Sequence, residues 1–202
     1  MNTPMKMAIL ASTLVLSTAL ATPRGPYIGA GLGFSDTNNG TGNFENTLRQ
    51  DPQSGAVSDT TGFGGRAFVG YRFIKYLAAE AGFTYFANAK ADDMAYDNGT
   101  TNVSGKLREH AYDISAKAFY PLAAQVDPFV DLGVAYIKSN TTLSGNNSGR
   151  DHSGASLRYG AGINFNITQQ FATGFSWDRI HSSNDIENAD LIALNFTYSF
   201  LS

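Results

Sequence analysis

From Tyr27 to Phe200 the apolar residues recur at every second position, segment after segment. In Tyr27 to Ser35 the even positions are Ile28, Ala30, Leu32 and Phe34, set against mostly glycine. In Phe63 to Phe73 they are Phe63, Ala67, Val69, Tyr71 and Phe73, with Arg66 and Arg72 among the alternates; Leu77, Ala79, Ala81, Phe83 and Tyr85 then oppose Glu80 and Thr84. Tyr112, Ile114, Ala116, Ala118 and Tyr120 alternate with Asp113, Ser115 and Lys117, and Val126, Val130, Leu132, Val134 and Tyr136 with Asp127, Asp131 and Gly133. Leu157 to Phe165 oppose Arg158, Asn164 and Asn166; Phe171, Phe175 and Trp177 oppose Gly174, Ser176 and Asp178; Ile192 to Phe200 oppose Asn195, Thr197 and Ser199. A period of two is the period of a strand, and no later window shows a capped helical repeat or an apolar run long enough for a membrane helix. The pattern predicts an all-β chain of eight strands, each with one apolar and one polar face.

The connections alternate in kind. After strands two, four and six they are tight, at Ile74-Lys75, Leu122 to Gln125 and Thr168 to Gln170. After strands one, three, five and seven they are long and polar, at 36–61, 88–105, 139–154 and 181–189. Tight turns at one end and long loops at the other predict an eight-stranded antiparallel up-and-down transmembrane β-barrel.

A soluble barrel with its apolar face inward has the same alternation, so the direction needs separate evidence. The apolar sets end in aromatics, which predicts two girdles: Tyr27, Tyr71, Phe73, Tyr120, Phe171, Tyr198 and Phe200 near the tight turns, and Tyr112, Tyr136 and Trp177 toward the long loops. A bilayer with two interfaces selects such girdles, and a ligand cavity does not. The polar face is mainly Gly, Ser, Thr and Asn, which suits a narrow filled lumen. Its charges also balance, with Arg66, Arg72, Lys117 and Arg158 against Glu80, Asp113, Asp131 and Asp178. Each basic residue would cost about 2 to 4 kcal/mol facing lipid at mid-bilayer, whereas inside the barrel it can pair. These eight residues are the predicted lumen charge network.

Composition narrows the rest. A chain of 202 residues fits one domain, and a net charge of -3 with scattered Lys and Arg gives no basic face for nucleic acid. With no cysteine there is no disulfide framework and no thiolate metal site. Lys6, the apolar run Met7 to Leu20 and Ala19-Leu20-Ala21 describe a secretory signal peptide over 1–21, leaving a barrel domain at 22–202. His110 and His152 have no partners at ligand spacing, and no metal or cofactor is expected. His181, Ser183 and Glu187 loosely follow the His-x-Ser plus Glu arrangement of lipid A deacylases. They fall in a polar loop with no strand to hold base and nucleophile together, so no enzyme is expected.

"GYRFIKYLAAEAGFTYF" (70–86), "AKAFYPL" (116–122), "GINFNIT" (162–168) with "FATGFSW" (171–177) and the closing "LNFTYSF" (194–200) resemble the OmpA-type transmembrane domain and related small outer-membrane surface proteins, over strands two to eight. The resemblance implies a monomeric outer-membrane barrel whose lumen is closed by charges, with Glu80 and Lys117 on the family's positions. It departs at Asn164, where the family pattern has a glutamate; at Gly174 and Ser176, where it has arginine and glutamate; and at Asp131, where it has arginine. Leu201-Ser202 also follows Phe200, where the family's assembly signal favours a terminal aromatic. No counterpart of the periplasmic peptidoglycan-binding domain of full-length OmpA is expected.

The expected role is structural and adhesive, with loops 36–61, 88–105, 139–154 and 181–189 meeting host or surface molecules; the alternative is a narrow gated pore. Outward parity also places Lys106, Arg108, Lys138 and Arg179 at headgroup level, Lys138 and Arg179 each two residues beyond an interfacial aromatic. They either contact lipopolysaccharide phosphates or simply snorkel at the membrane edge.

Overall fold

A computed structural model describes residues 23–37, 57–59, 61–87, 89–96, 101–123, 125–143, 150–181 and 188–200, and among these there is no helix. Ten strands form: β1 (Gly25–Thr37), β2 (Val57–Asp59), β3 (Thr61–Ile74), β4 (Leu77–Tyr85), β5 (Ala89–Tyr96), β6 (Thr101–Phe119), β7 (Val126–Leu143), β8 (Arg150–Asn166), β9 (Phe171–His181) and β10 (Ala189–Ser199). Eight of them close a ring. β1 pairs with β3 on one side and β10 on the other, and the antiparallel ladder runs β3, β4, β6, β7, β8, β9, β10 around the rest. Closure leaves the ring no unpaired strand edge, which a bilayer demands because lipid offers backbone groups no hydrogen bonds.

The remaining strands, β2 and β5, correct the loop expectation. β5 pairs with the first part of β6, from Ala89↔Leu107 to Tyr96↔Thr101, and β2 pairs with β5. The segments 36–61, 88–105 and 139–154 are therefore partly strand, and β7 pairs with β8 out to Thr141↔Arg150. Polar sequence does not stop a ladder; Thr101, Val103, Thr141 and Thr142 carry the β-branched side chains that favour one. His181 likewise ends β9 instead of lying free in the 181–189 segment.

The parity assigned to the apolar face holds around the ring. Ile114, Leu132, Val134, Phe175, Ile192 and Phe196 are exposed on the outer wall, while Arg66, Arg72, Glu80, Asp113, Lys117, Asp131, Arg158 and Asp178 are buried inside. Tyr71, Phe73, Tyr112, Tyr120, Tyr136, Phe171, Trp177 and Phe200 are exposed and Tyr198 is half-buried on the same outer face. Tyr27 is the correction. It shares β1 parity with the inward glycines, its ring fills the space beside Gly70, and its hydroxyl donates to Glu80 Oε1 at 2.8 Å. An aromatic near a strand end is a girdle residue only if its parity agrees.

The interior is not uniformly polar. Toward the tight turns Phe68, Ala78, Phe119 and Phe129 pack with Tyr27. Toward the long loops Phe86, Ala111, Ala135, Ile137, Ile180, Ala189, Leu191 and Ala193 form a second apolar cluster. The central charges lie between these two layers, because inward positions on β6 run Ala111, Asp113, Ser115, Lys117, Phe119 and on β7 run Phe129, Asp131, Gly133, Ala135, Ile137.

Candidate functional site

Each barrel strand sends at least one side chain into a continuous polar network. Glu80 of β4, 2 % exposed, is its first hub: Lys117 Nζ of β6 donates to Oε1 at 2.5 Å, Tyr27 of β1 donates to the same oxygen, and Arg66 Nη1 of β3 donates to Oε2 at 3.1 Å. Arg66 reaches on to Asp113 of β6, donating from Nη2 at 2.7 Å. Arg158 of β8, 1 % exposed, is the second hub. Its Nη1 donates to Asp131 Oδ1 of β7 at 2.6 Å, its Nη2 donates to Asp178 Oδ1 of β9, and its Nε lies 3.7 Å from Asp113. Ser176 donates to Asp178 Oδ2 at 3.0 Å, and Asn195 of β10 donates to Ser176 at 2.8 Å, completing the circuit.

Small residues make the circuit possible. A Cβ at Gly82 would come within 2.6 Å of Arg66 Nη2 and 2.8 Å of Asp113 Oδ2, and one at Gly160 within 2.6 Å of Asp178 Oδ1. Any side chain at either position would push an ion pair apart. The aromatic layer below adds cation-π contacts, with Lys117 Nζ 4.3 Å from the Phe129 ring centre and Arg66 5.0 Å from that of Phe68.

Arg72 stands apart from the central circuit. It pairs with Asp127 at 3.3 Å, donates to the Lys75 carbonyl at 2.6 Å and lies over Phe119 at 4.0 Å, and Asn166 also donates to Asp127. Asp127, Tyr27, Phe68, Phe119 and Phe129 lie in the lumen outside the eight predicted network charges, although parity on their own strands points each of them inward. Beside the central charges a cavity of about 30 Å³ is bordered by Asn164, Asn166, Asn195, Thr197 and Ser199.

The rim cations divide. Arg108 and Lys138 are exposed on the outer face, and the Lys106 side chain lies outside the described residues. Arg179 donates from Nε and Nη2 to the two oxygens of Asp190, both at 2.8 Å, while Trp177 Nε1 donates to Asp190 Oδ1 at 3.0 Å. His181 Nδ1 lies 2.6 Å from Asn188 Oδ1; Ser183, Glu187 and the 1–21 segment lie outside the described residues. Among the described residues no cluster of three His, Asp or Glu has metal-ligand geometry.

The model of the outer membrane protein beta-barrel domain matches residues 7–200. The chain belongs to that family. It is 26% identical to an uncharacterized protein of Coxiella burnetii over 85% of this chain and 82% of that one. It is 27% identical to outer membrane protein A of Shigella flexneri over 86% of this chain, and it spans only 48% of that relative's length. Among solved folds, OprG of Pseudomonas aeruginosa superposes with a TM-score of 0.61 at 11% identity, covering 90% of this chain and 99% of that one. Ail, the attachment invasion locus protein of Yersinia pestis, in complex with the heparin analogue sucrose octasulfate, superposes at 0.55 with 18% identity, covering 87% and 99%. This outer-membrane barrel therefore resides in the outer membrane of a Gram-negative cell.

Proposed function

We propose that this outer-membrane barrel is a closed, monomeric surface-display protein, in which the charged lumen acts as a plug and the outward segments meet host or surface molecules. The observation that carries the reading is the circuit from Tyr27 through Glu80, Arg66, Asp113, Arg158 and Asp178 to Asn195, with Asp131 branching from Arg158, which links every barrel strand across the interior. Above it Ile137, Ile180 and Leu191 pack in an apolar layer, and below it Phe119 and Phe129 narrow the way. The attachment role carried in Ail's name supports, by analogy of fold alone, a contact function for segments 36–61, 88–105, 139–154 and 181–189. The reading involves no catalysis and no cofactor.

Planar-bilayer conductance tests the plug. The folded protein should leave the bilayer silent, and stable openings that change in Glu80→Gln or Lys117→Gln would establish the gated-pore reading instead. The cavity beside the network is the observation that favours that second reading, since it already holds space within the lumen.

A further inference from the structure

The lipid-facing wall is dented where β1, β3 and β4 run side by side. Two rows cross these strands in register, Leu32 with Gly65 and Tyr85, and Ala30 with Ala67 and Phe83. Gly65 and Ala67 form the floor, and the larger side chains stand up on either side; Leu32 is 68% exposed. The result is an apolar groove of about 430 Å³, within the range of small-molecule sites. A Cβ at Gly65 would lie 3.2 Å from Leu32 Cδ2, so a longer side chain there would occupy the groove itself.

Beyond the Tyr85 edge of the groove, the next two strands carry positive charge toward the loops. His110 is paired with Tyr85 across β4 and β6, and Lys138 with His110 across β6 and β7. Arg108 follows two residues closer to the loops, and both it and Lys138 are exposed on the outer face. No carboxylate among the described residues forms an ion pair with either cation, and the intervening Glu109 is buried on the inner face. Arg179, by contrast, is already neutralised by Asp190.

We infer that this wall is a binding site for one lipopolysaccharide molecule of the outer leaflet, with an acyl chain in the groove over Gly65 and Ala67 and a phosphate at Arg108 and Lys138. Charge complementarity selects the occupant: an apolar slot on β1, β3 and β4, with Arg108 and Lys138 on the neighbouring β6 and β7 unpaired among the described residues, fits a lipid that is both acylated and phosphorylated. The inference rests on outer-membrane residence and not on the closed-lumen reading, so a conducting barrel would leave it standing.

The test is retention of bisphosphorylated lipid A by the folded full-length chain in detergent, read by native mass spectrometry. Phosphatidylglycerol and dephosphorylated lipid A are parallel arms, and heat-dependent gel mobility is the check on folding. The parent should keep one lipid A. Gly65→Leu, and separately the pair Arg108→Gln with Lys138→Gln, should each weaken retention by about tenfold, equivalent to 1.4 kcal/mol; Ala67→Leu replaces Gly65→Leu if the latter does not fold. Dephosphorylated lipid A should bind the parent as weakly as lipid A binds the Gln pair. Unchanged retention in the groove variants, equal retention of phosphatidylglycerol, or a change only in the proportion of dimers would each overturn the assignment, the last by making the groove a seam between copies.

Discussion

Arg158 and Arg179 both hold aspartates, one inside the barrel and the other on its outer rim. The rim pair has the better local geometry: two parallel hydrogen bonds of 2.8 Å to one carboxylate, with Trp177 holding the same group. Arg158 instead divides its guanidinium among Asp113, Asp131 and Asp178. Yet its side chain is 1% exposed against 32% for Arg179, and that difference decides the consequences. Where water and ions reach, a broken pair is solvated again; inside the barrel Asp131 and Asp178 have, among the described residues, no second ion pair to replace the arginine. Geometry says that a pair forms, whereas its surroundings say what losing it costs.

The largest expected effect follows directly. Arg158→Met leaves Asp131 and Asp178 buried without their cation, while Asp113 keeps Arg66, and should destabilise the folded barrel by about 3 to 5 kcal/mol, read as a lower urea midpoint for unfolding in detergent micelles. Adding Asp178→Asn should recover part of the loss, because the two residues share one interaction. If Arg158→Met unfolds at the parent's midpoint, the interior pairs carry no stability and the contrast with the rim fails.

Glu80 comes next. Glu80→Gln keeps an acceptor for Tyr27 and Lys117 but removes the charge that both Lys117 and Arg66 use, so a loss of about 1.5 to 3 kcal/mol is expected. Tyr27→Phe should cost about 1 kcal/mol, since it deletes one hydrogen bond and leaves both cations on Glu80. The same unfolding measurement orders the two, and a Tyr27→Phe effect larger than that of Glu80→Gln would mean that the phenol, and not the carboxylate, is the hub.

The order of the ring, its direction and the inward placement of Glu80, Lys117 and Arg158 are legible in the sequence because period two and membrane parity leave each side chain only two directions. Tyr27 shows the limit of a positional rule. It stands at a strand end like the girdle residues, but only its parity and the gap beside Gly70 reveal an inward ring. Pairing is less legible still. Nothing in the spacing of Arg158 and Asp113 announces that they approach, because the stagger of tilted strands, not sequence distance, brings inward residues to one level. The two apolar layers were equally hidden, since Phe68, Phe119 and Phe129 occur on faces that also carry Arg66, Lys117 and Asp131. Strand extensions such as β5 are not legible because their alternation is mixed, Asp93 falling among Ala89, Ala91 and Ala95 and Lys90 and Asp92 among Met94 and Tyr96, and backbone pairing needs no hydrophobic stripe.

At the rim the smallest effects should appear, and there stability and lipid binding should part. Arg179→Gln should leave the unfolding midpoint unchanged, because both partners are accessible and Trp177 Nε1 still donates to Asp190. It should also leave lipid A retention unchanged, since the guanidinium is already committed to a carboxylate. Asp190→Asn is the informative reverse. It releases Arg179 beside the Trp177 ring, whose centre lies 5.3 Å from the guanidinium carbon, and so creates a cation without a carboxylate above an interfacial aromatic, the condition Lys138 meets above Tyr136 among the described residues. A second, weaker lipid A should then be retained by the folded protein with no loss of stability. If Asp190→Asn instead destabilises the barrel as much as Glu80→Gln does, the rim is as shielded as the lumen, and exposure is not what separates the two arginines.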